Sequence, residues 1–261
     1  MLIITVNTYS QKMISPTGIQ KNEPAEDYLR ADNTITDAFL GQPTMYLDSG
    51  GDTWDATWAD DDGIYISSDD SRGFRTNIFS NLMVNKLEGA DPYNLKGTTI
   101  NTMAEYGKGG ELWVDGYCWK ANGMSCIDGV LYLFVSRHDY NGEAIADPWR
   151  RQDTRNASLI KSQDHGTTWS RSAIENYNNP MFPGSRFSTP FFIHYGKDGA
   201  ANVDNADKYV YAMSNNGFWC NGDDMILGRV PKSKIGDLNA SDWSFYTGGD
   251  GMLDTNWTKD M

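Results

Sequence analysis

The sequence predicts an all-β fold, a β-propeller of four-stranded blades, from its composition, its lack of helical periodicity and an internal repeat. The 261 residues include 9 Trp, 14 Tyr, 10 Phe and 26 Gly. Aromatic side chains favour half-buried pleated surfaces, and glycine supplies the tight turns between short strands. Because no stretch keeps a helical period over several turns, long helices are not expected.

The repeat consists of three units, each with an aromatic-rich strand, a short acidic or glycine turn and a second strand. The units cover Thr53–Asp70, Cys118–Asp139 and Ser188–Gly217. Aligned on the second strand, Tyr65, Tyr132 and Tyr211 share one position. Further strand-like runs follow in each unit, so four strands recur at a spacing of roughly 70–80 residues, as in propeller blades with long loops.

Three blades do not close a ring, because propellers carry about 4–8 blades. We therefore expect a fragment of a ring of roughly five to seven blades. The segment after Tyr246, with Trp257, is predicted to begin a fourth blade. Residues 48–261 form the incomplete propeller domain, and residues 1–47 form an N-terminal arm or part of the closing blade.

Charge and cysteine content bear on partners and cofactors. The formal net charge is −13, which argues against a nucleic-acid partner because phosphate binding needs a basic field. No segment is long and apolar enough to predict a membrane span. Cys118, Cys126 and Cys220 lack metal-ligand spacing, so no metal and no other cofactor are expected. The sequence leaves open whether Cys118 and Cys126 form a disulfide.

Three sequons favour a secreted protein. Asn156, Asn239 and Asn256 each begin an Asn-x-Ser/Thr triplet, which is the acceptor pattern for N-glycosylation. The first residues, MLIITVNTYSQKM, lack a basic region and a long apolar core, so a signal peptide is not visible in this chain. The localisation expected is extracellular.

One short motif predicts a specific hairpin. Residues 162–169, SQDHGTTW, match the Asp-box pattern S-x-D-x-G-x-T-W at every defined position. Asp164 can accept hydrogen bonds from turn amides, and Gly166 allows a positive φ. By this motif the chain resembles the sialidase-like propellers, also known as Asp-box or BNR-repeat proteins. The resemblance implies that the box stabilises a blade at the rim opposite the active site, so Asp164 and His165 are expected to be structural.

The third unit carries a second resemblance. Its segments Tyr209–Tyr211, Met225–Pro231 and Ser241–Gly248 look like part of secreted microbial and fungal propellers, most of them uncharacterised or described as glycoside hydrolases. Some propellers of this kind are polysaccharide lyases that act on uronate-containing glycans. The resemblance implies a carbohydrate ligand and leaves the reaction open. The three-arginine cluster and Tyr–Glu pair of true sialidases cannot be traced.

The propeller interpretation predicts where a site would form. The first strand of each blade starts on one face, and the loop between the second and third strands returns to it, so both regions surround one funnel. The residues expected there are Asp52, Trp54, Asp55, Asp69, Asp70 and Arg72 from the first unit, Lys120, Asn122, Arg137, His138, Asp139 and Tyr140 from the second, and Arg186, Ser188, Asn215 and Asn216 from the third.

Three functions fit this set. The leading hypothesis is a glycoside hydrolase in which Asp52 or Asp55 is one carboxylate and Asp69 or Asp70 its partner. The second is a polysaccharide lyase. There His138 or Tyr140 would abstract a proton, and Arg137, Lys120 or Arg186 would neutralise a uronate carboxylate. The third is a non-catalytic module that binds a glycan through Trp54 and polar groups, with Arg72, Asn122, Asn215 and Asn216 as further contacts.

Other acidic and histidine residues are expected to be structural. Residues 60–63, Asp-Asp-Asp-Gly, are predicted to form a turn. His194 and Tyr195 end a first strand and are expected on the opposite face. Motifs of metalloproteases, serine hydrolases and nucleotide-binding loops do not occur.

Overall fold

A computed structural model describes residues 49–91, 94–139, 152–200, 208–220, 224–249, 251 and 253–261. In these ranges the protein is all-β, as predicted, with three antiparallel sheets and one six-residue α-helix. The predicted arm at 1–47 lies outside the described residues. None of the helices in the described part is long and apolar enough to cross a membrane.

The first sheet has four antiparallel strands in chain order and matches the predicted unit. Its strands are β1 (Ser49–Trp58), β2 (Ile64–Phe74), β3 (Ser80–Glu88) and β4 (Lys96–Asn101). The predicted acidic turn joins β1 to β2. Asp61 Oδ1 accepts a hydrogen bond from the Gly63 amide at 3.0 Å, and Asp62 has a φ of 64°. The turn is thus closed by an aspartate side chain.

The second sheet has three strands, one fewer than predicted. They are β5 (Cys118–Ile127), β6 (Val130–Asp139) and β7 (Asp153–Ser162). Asp128 and Gly129 join β5 to β6 with positive φ values of 50° and 74°, as a two-residue hairpin turn requires. After β7 a single bridge pairs Lys161 with Ser170, and helix α1 (Ala173–Asn178) follows, started by a capping box on Ser172.

The third sheet has five strands, which corrects the prediction for Trp257. Its strands are β8 (Phe191–Phe192), β9 (Tyr209–Asn215), β10 (Met225–Pro231), β11 (Ser244–Tyr246) and β12 (Trp257–Thr258). Trp257 pairs with Tyr246 and completes this sheet instead of beginning another one. Its ring packs on Tyr211 and on the Arg229 guanidinium.

Sheet two packs between the other two sheets, because β6 is apolar on both faces. Leu131, Leu133 and Val135 share one core cluster with residues of sheet one. Tyr132 and Phe134 belong to a second cluster, formed with sheet three. Since successive strand residues point to opposite faces, a continuous apolar run such as VLYLFV is what a sheet buried on both sides needs.

The first strands of the three sheets lie side by side. β5 is an edge strand, and its outward amides bond to the neighbouring sheets instead of to another strand. Gly123 donates to the Pro190 carbonyl at 3.0 Å, beside β8, and Cys126 donates to Thr57 Oγ1 of β1 at 2.8 Å. These bonds satisfy groups that an exposed edge would leave unpaired.

Candidate functional site

Three aspartates and a lysine meet at the end of the β1–β2 hairpin that lies away from its turn. Asp52 of β1 is directly opposite Asp69 of β2, and Asp70 follows in the chain. Lys120 of β5 reaches across from sheet two, with its Nζ 2.5 Å from Asp70 Oδ2. The structure therefore brings four of the predicted residues together. We call Asp52, Asp69, Asp70 and Lys120 the carboxylate cluster.

Within the carboxylate cluster, Asp69 and Asp70 have different surroundings. Asp69 is 3% exposed, and its Oδ1 accepts a hydrogen bond from the Ala121 amide at 2.8 Å. Burial raises the pKa of Asp69 well above its usual range, against the lowering effect of Lys120, and the charges of Asp52 and Asp70 raise it further. Asp70 is more exposed and is paired with Lys120. One carboxyl therefore favours its protonated form and lies beside another that is ion-paired with an ammonium group.

A buried polar chain continues from the cluster into sheet two. Asn122 Nδ2 donates to Ser136 Oγ at 2.8 Å, and Ser136 Oγ lies 3.0 Å from His138 Nε2. The His138 ring packs on Trp219, with centroids 5.2 Å apart. Burial lowers the pKa of His138 to about 3, helped by the charges of Lys120 and Arg137. His138 is therefore a neutral imidazole at physiological pH.

Asp55 does not belong to this cluster, contrary to the prediction. A register shift between Asp52 and Asp55 separates the two residues along β1. Asp55 Oδ2 accepts the Met124 amide of β5 at 2.5 Å. Burial raises the pKa of Asp55, opposed by that hydrogen bond and by His194. The Asp55 side chain thus joins sheet one to sheet two, because it supplies a hydrogen-bond acceptor to an outward amide of the edge strand β5.

Arg137 is also placed differently from the prediction. It is 1% exposed and lies on the opposite face of β6 from His138, among the aromatic side chains of Trp113, Trp119 and Tyr177. Its Nη2 bonds to Asp115 Oδ1 at 2.7 Å. The sequence offers a general reason for this outcome, because adjacent residues of a regular strand point to opposite faces, whereas Asp70 of β2, with a φ of 39°, departs from that geometry.

Trp54 and Arg72 make contacts within sheet one. Trp54 is 38% exposed and donates from Nε1 to the Gly51 carbonyl at 3.1 Å, while its ring packs on Phe74. The exposed Arg72 lies over the Phe79 ring at 5.0 Å. Both side chains are accessible to a ligand.

A cleft of about 470 Å³ lies between sheet two and the third unit. It is lined by Asp153, Thr154, Arg155, Asn156, Gly184, Ser185, Asn216, Gly217 and Phe218. Of the predicted residues, Asn216 lines it and pairs with Arg186 through a backbone bridge. Asn215 is instead held inside the sheet by Thr189 and by the Phe218 carbonyl. Tyr140 lies outside the described residues.

The sequence reasoning missed Asp153, Arg155 and Trp219, which lie beside the predicted residues. Thr154 and Arg155 of β7 are the strand partners of His138 and Arg137. Arg155 stacks on Tyr117, with its guanidinium carbon 4.0 Å from the ring centroid. Pairing the second strand of unit two with the third strand in the sequence would have placed Thr154 and Arg155 opposite His138 and Arg137.

The Ser162–Trp169 turn has the hydrogen bonds that its sequence predicts. Asp164 accepts from the Thr168 amide at 2.8 Å and from Thr168 Oγ1 at 2.7 Å. These bonds lower the pKa of Asp164. Trp169 Nε1 donates to the Gly166 carbonyl at 3.0 Å. His165 bonds to Asp60, at the turn end of the β1–β2 hairpin, whereas the carboxylate cluster lies at the other end.

No protein-family model and no curated protein matches the chain. Among solved structures, it is similar to a proposed hydrolase from Bacteroides ovatus ATCC 8483, with 12% identity and a TM-score of 0.48 over 81% of this chain and 54% of that one. It is also similar to the GH43 BlXynB protein from Bacillus licheniformis, with 14% identity and a TM-score of 0.33 over 70% and 40% of the two chains. The chain thus spans about half, or less, of these proteins.

Similarities this distant carry no argument about the reaction, so the chemistry must be read from the carboxylate cluster itself. A protonated carboxyl can donate a proton, and an ionised carboxylate can accept one or attack an electrophilic carbon. A protonated carboxyl with a second carboxyl group beside it is the pair that acid–base cleavage of an acetal uses.

Proposed function

We propose that the chain is part of a secreted carbohydrate-active enzyme, a glycoside hydrolase, and that its three sheets are consecutive blades of an incomplete β-propeller. The observation that carries this proposal is the contrast between Asp69 and Asp70. Neighbouring carboxyls in different surroundings, one buried with a raised pKa and one partly exposed beside an ammonium group, are the arrangement that divides acid and base roles between two residues. The ligand is a polysaccharide or an oligosaccharide.

Each residue of the carboxylate cluster then has a role. Asp69 is the proton donor to the leaving oxygen, because burial keeps its carboxyl protonated. Asp70 is the base or nucleophile, because it is paired with the Lys120 ammonium and is more exposed than Asp69. Asp52 is exposed, lies opposite Asp69 and raises its pKa.

The lyase hypothesis has less support. It needs a base and a cationic group beside the same uronate, yet His138 and Arg137 lie on opposite faces of β6. The neutral His138 is able to accept a proton, but its Nε2 is already bonded to Ser136. Lys120, a second cationic group of the lyase hypothesis, is paired with Asp70.

The test is a panel of neutral and acidic glycans incubated with the full chain. We expect new reducing ends without the ultraviolet absorbance of an unsaturated uronate. Asp69→Asn and Asp70→Asn should each lower the rate by about 10²–10⁴-fold, the usual contribution of a general acid or base. The control is Asp237→Asn, which removes an exposed carboxylate paired with Lys234. Unsaturated products would establish the lyase, and binding without products would establish a glycan-binding module.

A further inference from the structure

A second group of polar side chains lies at the turn end of the β1–β2 hairpin. It joins three separate segments: Asp60 from the β1–β2 turn, Cys126 from β5, and Asp198 from the short 3-10 turn at 197–199. One ligand atom from each lies within 4.8 Å of the others. We call Asp60, Cys126 and Asp198 the thiol–carboxylate cluster. It takes no part in the chemistry proposed above.

The geometry of the cluster fits a small tetrahedral cation. The Cys126 Sγ lies 3.3 Å from Asp198 Oδ1 and 4.0 Å from Asp60 Oδ1. A sulfur and an oxygen bound to one tetrahedral zinc ion are about 3.6 Å apart, given bonds of about 2.3 and 2.1 Å. The two observed separations lie on either side of this value, so the sulfur and the two oxygens are spaced much as ligands of one ion would be.

The Cys126 side chain has features that a buried structural cysteine does not need. It is 1% exposed and belongs to the core cluster that sheets one and two share, and its sulfur is also within hydrogen-bonding distance of two carboxylate oxygens. An inert core thiol normally packs only as a small apolar group. Here the sulfur also faces two acidic groups, which repel a thiolate unless a cation joins them.

Both carboxylates are held in place by second partners. Asp198 has a φ of 54°, and its Oδ1 also accepts the Gly129 amide at 2.7 Å. Asp60 Oδ1 lies 2.9 Å from His165 Nε2. Supporting hydrogen bonds of this kind orient the carboxylates that bind metals. They also fix the two oxygens on either side of the sulfur.

A cleft open to solvent lies beside two of the three ligands. It has a volume of about 410 Å³ and is lined by Asp60, Lys197, Asp198 and Ala200. Lys197 pairs with Asp62, with 2.5 Å between Nζ and Oδ1. Among the ion pairs of the described residues, none joins a lysine or arginine to Asp60 or Asp198. A cation and a water molecule can therefore reach these two carboxylates from the cleft.

We propose that Asp60, Cys126 and Asp198 bind a thiophilic divalent cation of the zinc type, with His165 orienting Asp60 and water completing the coordination. The thiolate selects zinc or cobalt over calcium and magnesium, which prefer all-oxygen sites. A cysteine binds such a cation as the thiolate, so binding replaces the S–H proton with the metal and releases that proton to solvent.

The test is titration of the metal-free full chain with Co²⁺ and Zn²⁺. We expect one equivalent to bind, a thiolate-to-cobalt charge-transfer band, release of about one proton per metal, and a rise in melting temperature with Zn²⁺. Calcium should give none of these signals. If wild type binds neither metal, or binds without the charge-transfer band, the proposal is wrong.

Two variants remove the ligands, and one serves as a matched control. Cys126→Ser should abolish the charge-transfer band and the thermal shift. Cys118→Ser, at the other end of β5 and equally buried, should keep both. Asp198→Asn retains the Gly129 hydrogen bond and tolerates a positive φ, so it should fold even if Cys126→Ser does not, and should weaken binding at least tenfold. Unchanged binding by Asp198→Asn would overturn the assignment.

Discussion

Arg137 and His138 are adjacent in the chain, yet they face two different cores of the molecule. Arg137 lies among aromatic rings on the side of sheet one. His138 lies against Trp219 on the side of sheet three and is bonded to Ser136. The pleat of β6 separates them, so one residue stabilises a core while the other ends the polar chain that leads to Lys120.

The surroundings of Arg137 predict a structural role. Arg137→Ala removes a guanidinium that is stacked on Trp119 and bonded to Asp115, and should lower the free energy of unfolding by about 3–5 kcal/mol. Arg137→Met should recover most of that loss, because it fills the same volume among apolar rings. The measurement is denaturant unfolding, together with glycan cleavage per folded molecule. A loss of cleavage in a stable Arg137→Met variant would show that Arg137 takes part in the active site.

The buried His138 predicts a pH-dependent stability. Its pKa is about 3 in the folded protein and about 6.5 when unfolded. Between these values the unfolded chain binds the proton more readily, so this group makes stability fall as the pH drops from about 6.5 to about 3. His138→Gln has no proton to bind and should lose this part of the slope. Unfolding free energies measured at several pH values would show it, and equal slopes in both proteins would contradict the burial argument.

The raised pKa of Asp69 predicts that this residue supports activity but lowers the stability of the fold at neutral pH. Its raised pKa means that the folded state keeps a proton that the unfolded state loses above about pH 3.9. The contribution of Asp69 to stability therefore falls as the pH rises through this region. Asp69→Asn still accepts the Ala121 amide and carries no charge, so we expect a higher melting temperature at pH 7 together with loss of cleavage. A lower melting temperature would show that the Asp69 charge stabilises the fold.

The all-β class, the order of the strands and the meeting of Asp52, Asp69, Asp70 and Lys120 could be predicted from sequence. They follow from local alternation, from turn residues and from the repeat. Asp55 and Arg137 could not be placed, because each depends on a long-range event: a register shift in β1, and the burial of sheet two on both faces. The thiol–carboxylate cluster has no spacing signal, since its members are more than 60 residues apart in the chain.

Asp55 allows a clear test of whether a carboxylate is structural or catalytic. Its pKa is raised, as that of a catalytic acid would be, but it lies outside the carboxylate cluster. Asp55→Ala leaves the Met124 amide of β5 without its acceptor. Since an unsatisfied buried amide costs about 1–3 kcal/mol, this variant should unfold at lower denaturant concentration. Asp55→Asn keeps an oxygen for that amide and should retain both stability and glycan cleavage. If Asp55→Asn folds normally but fails to cleave, then Asp55 is one of the reacting carboxylates after all, and its bond to Met124 serves to position it.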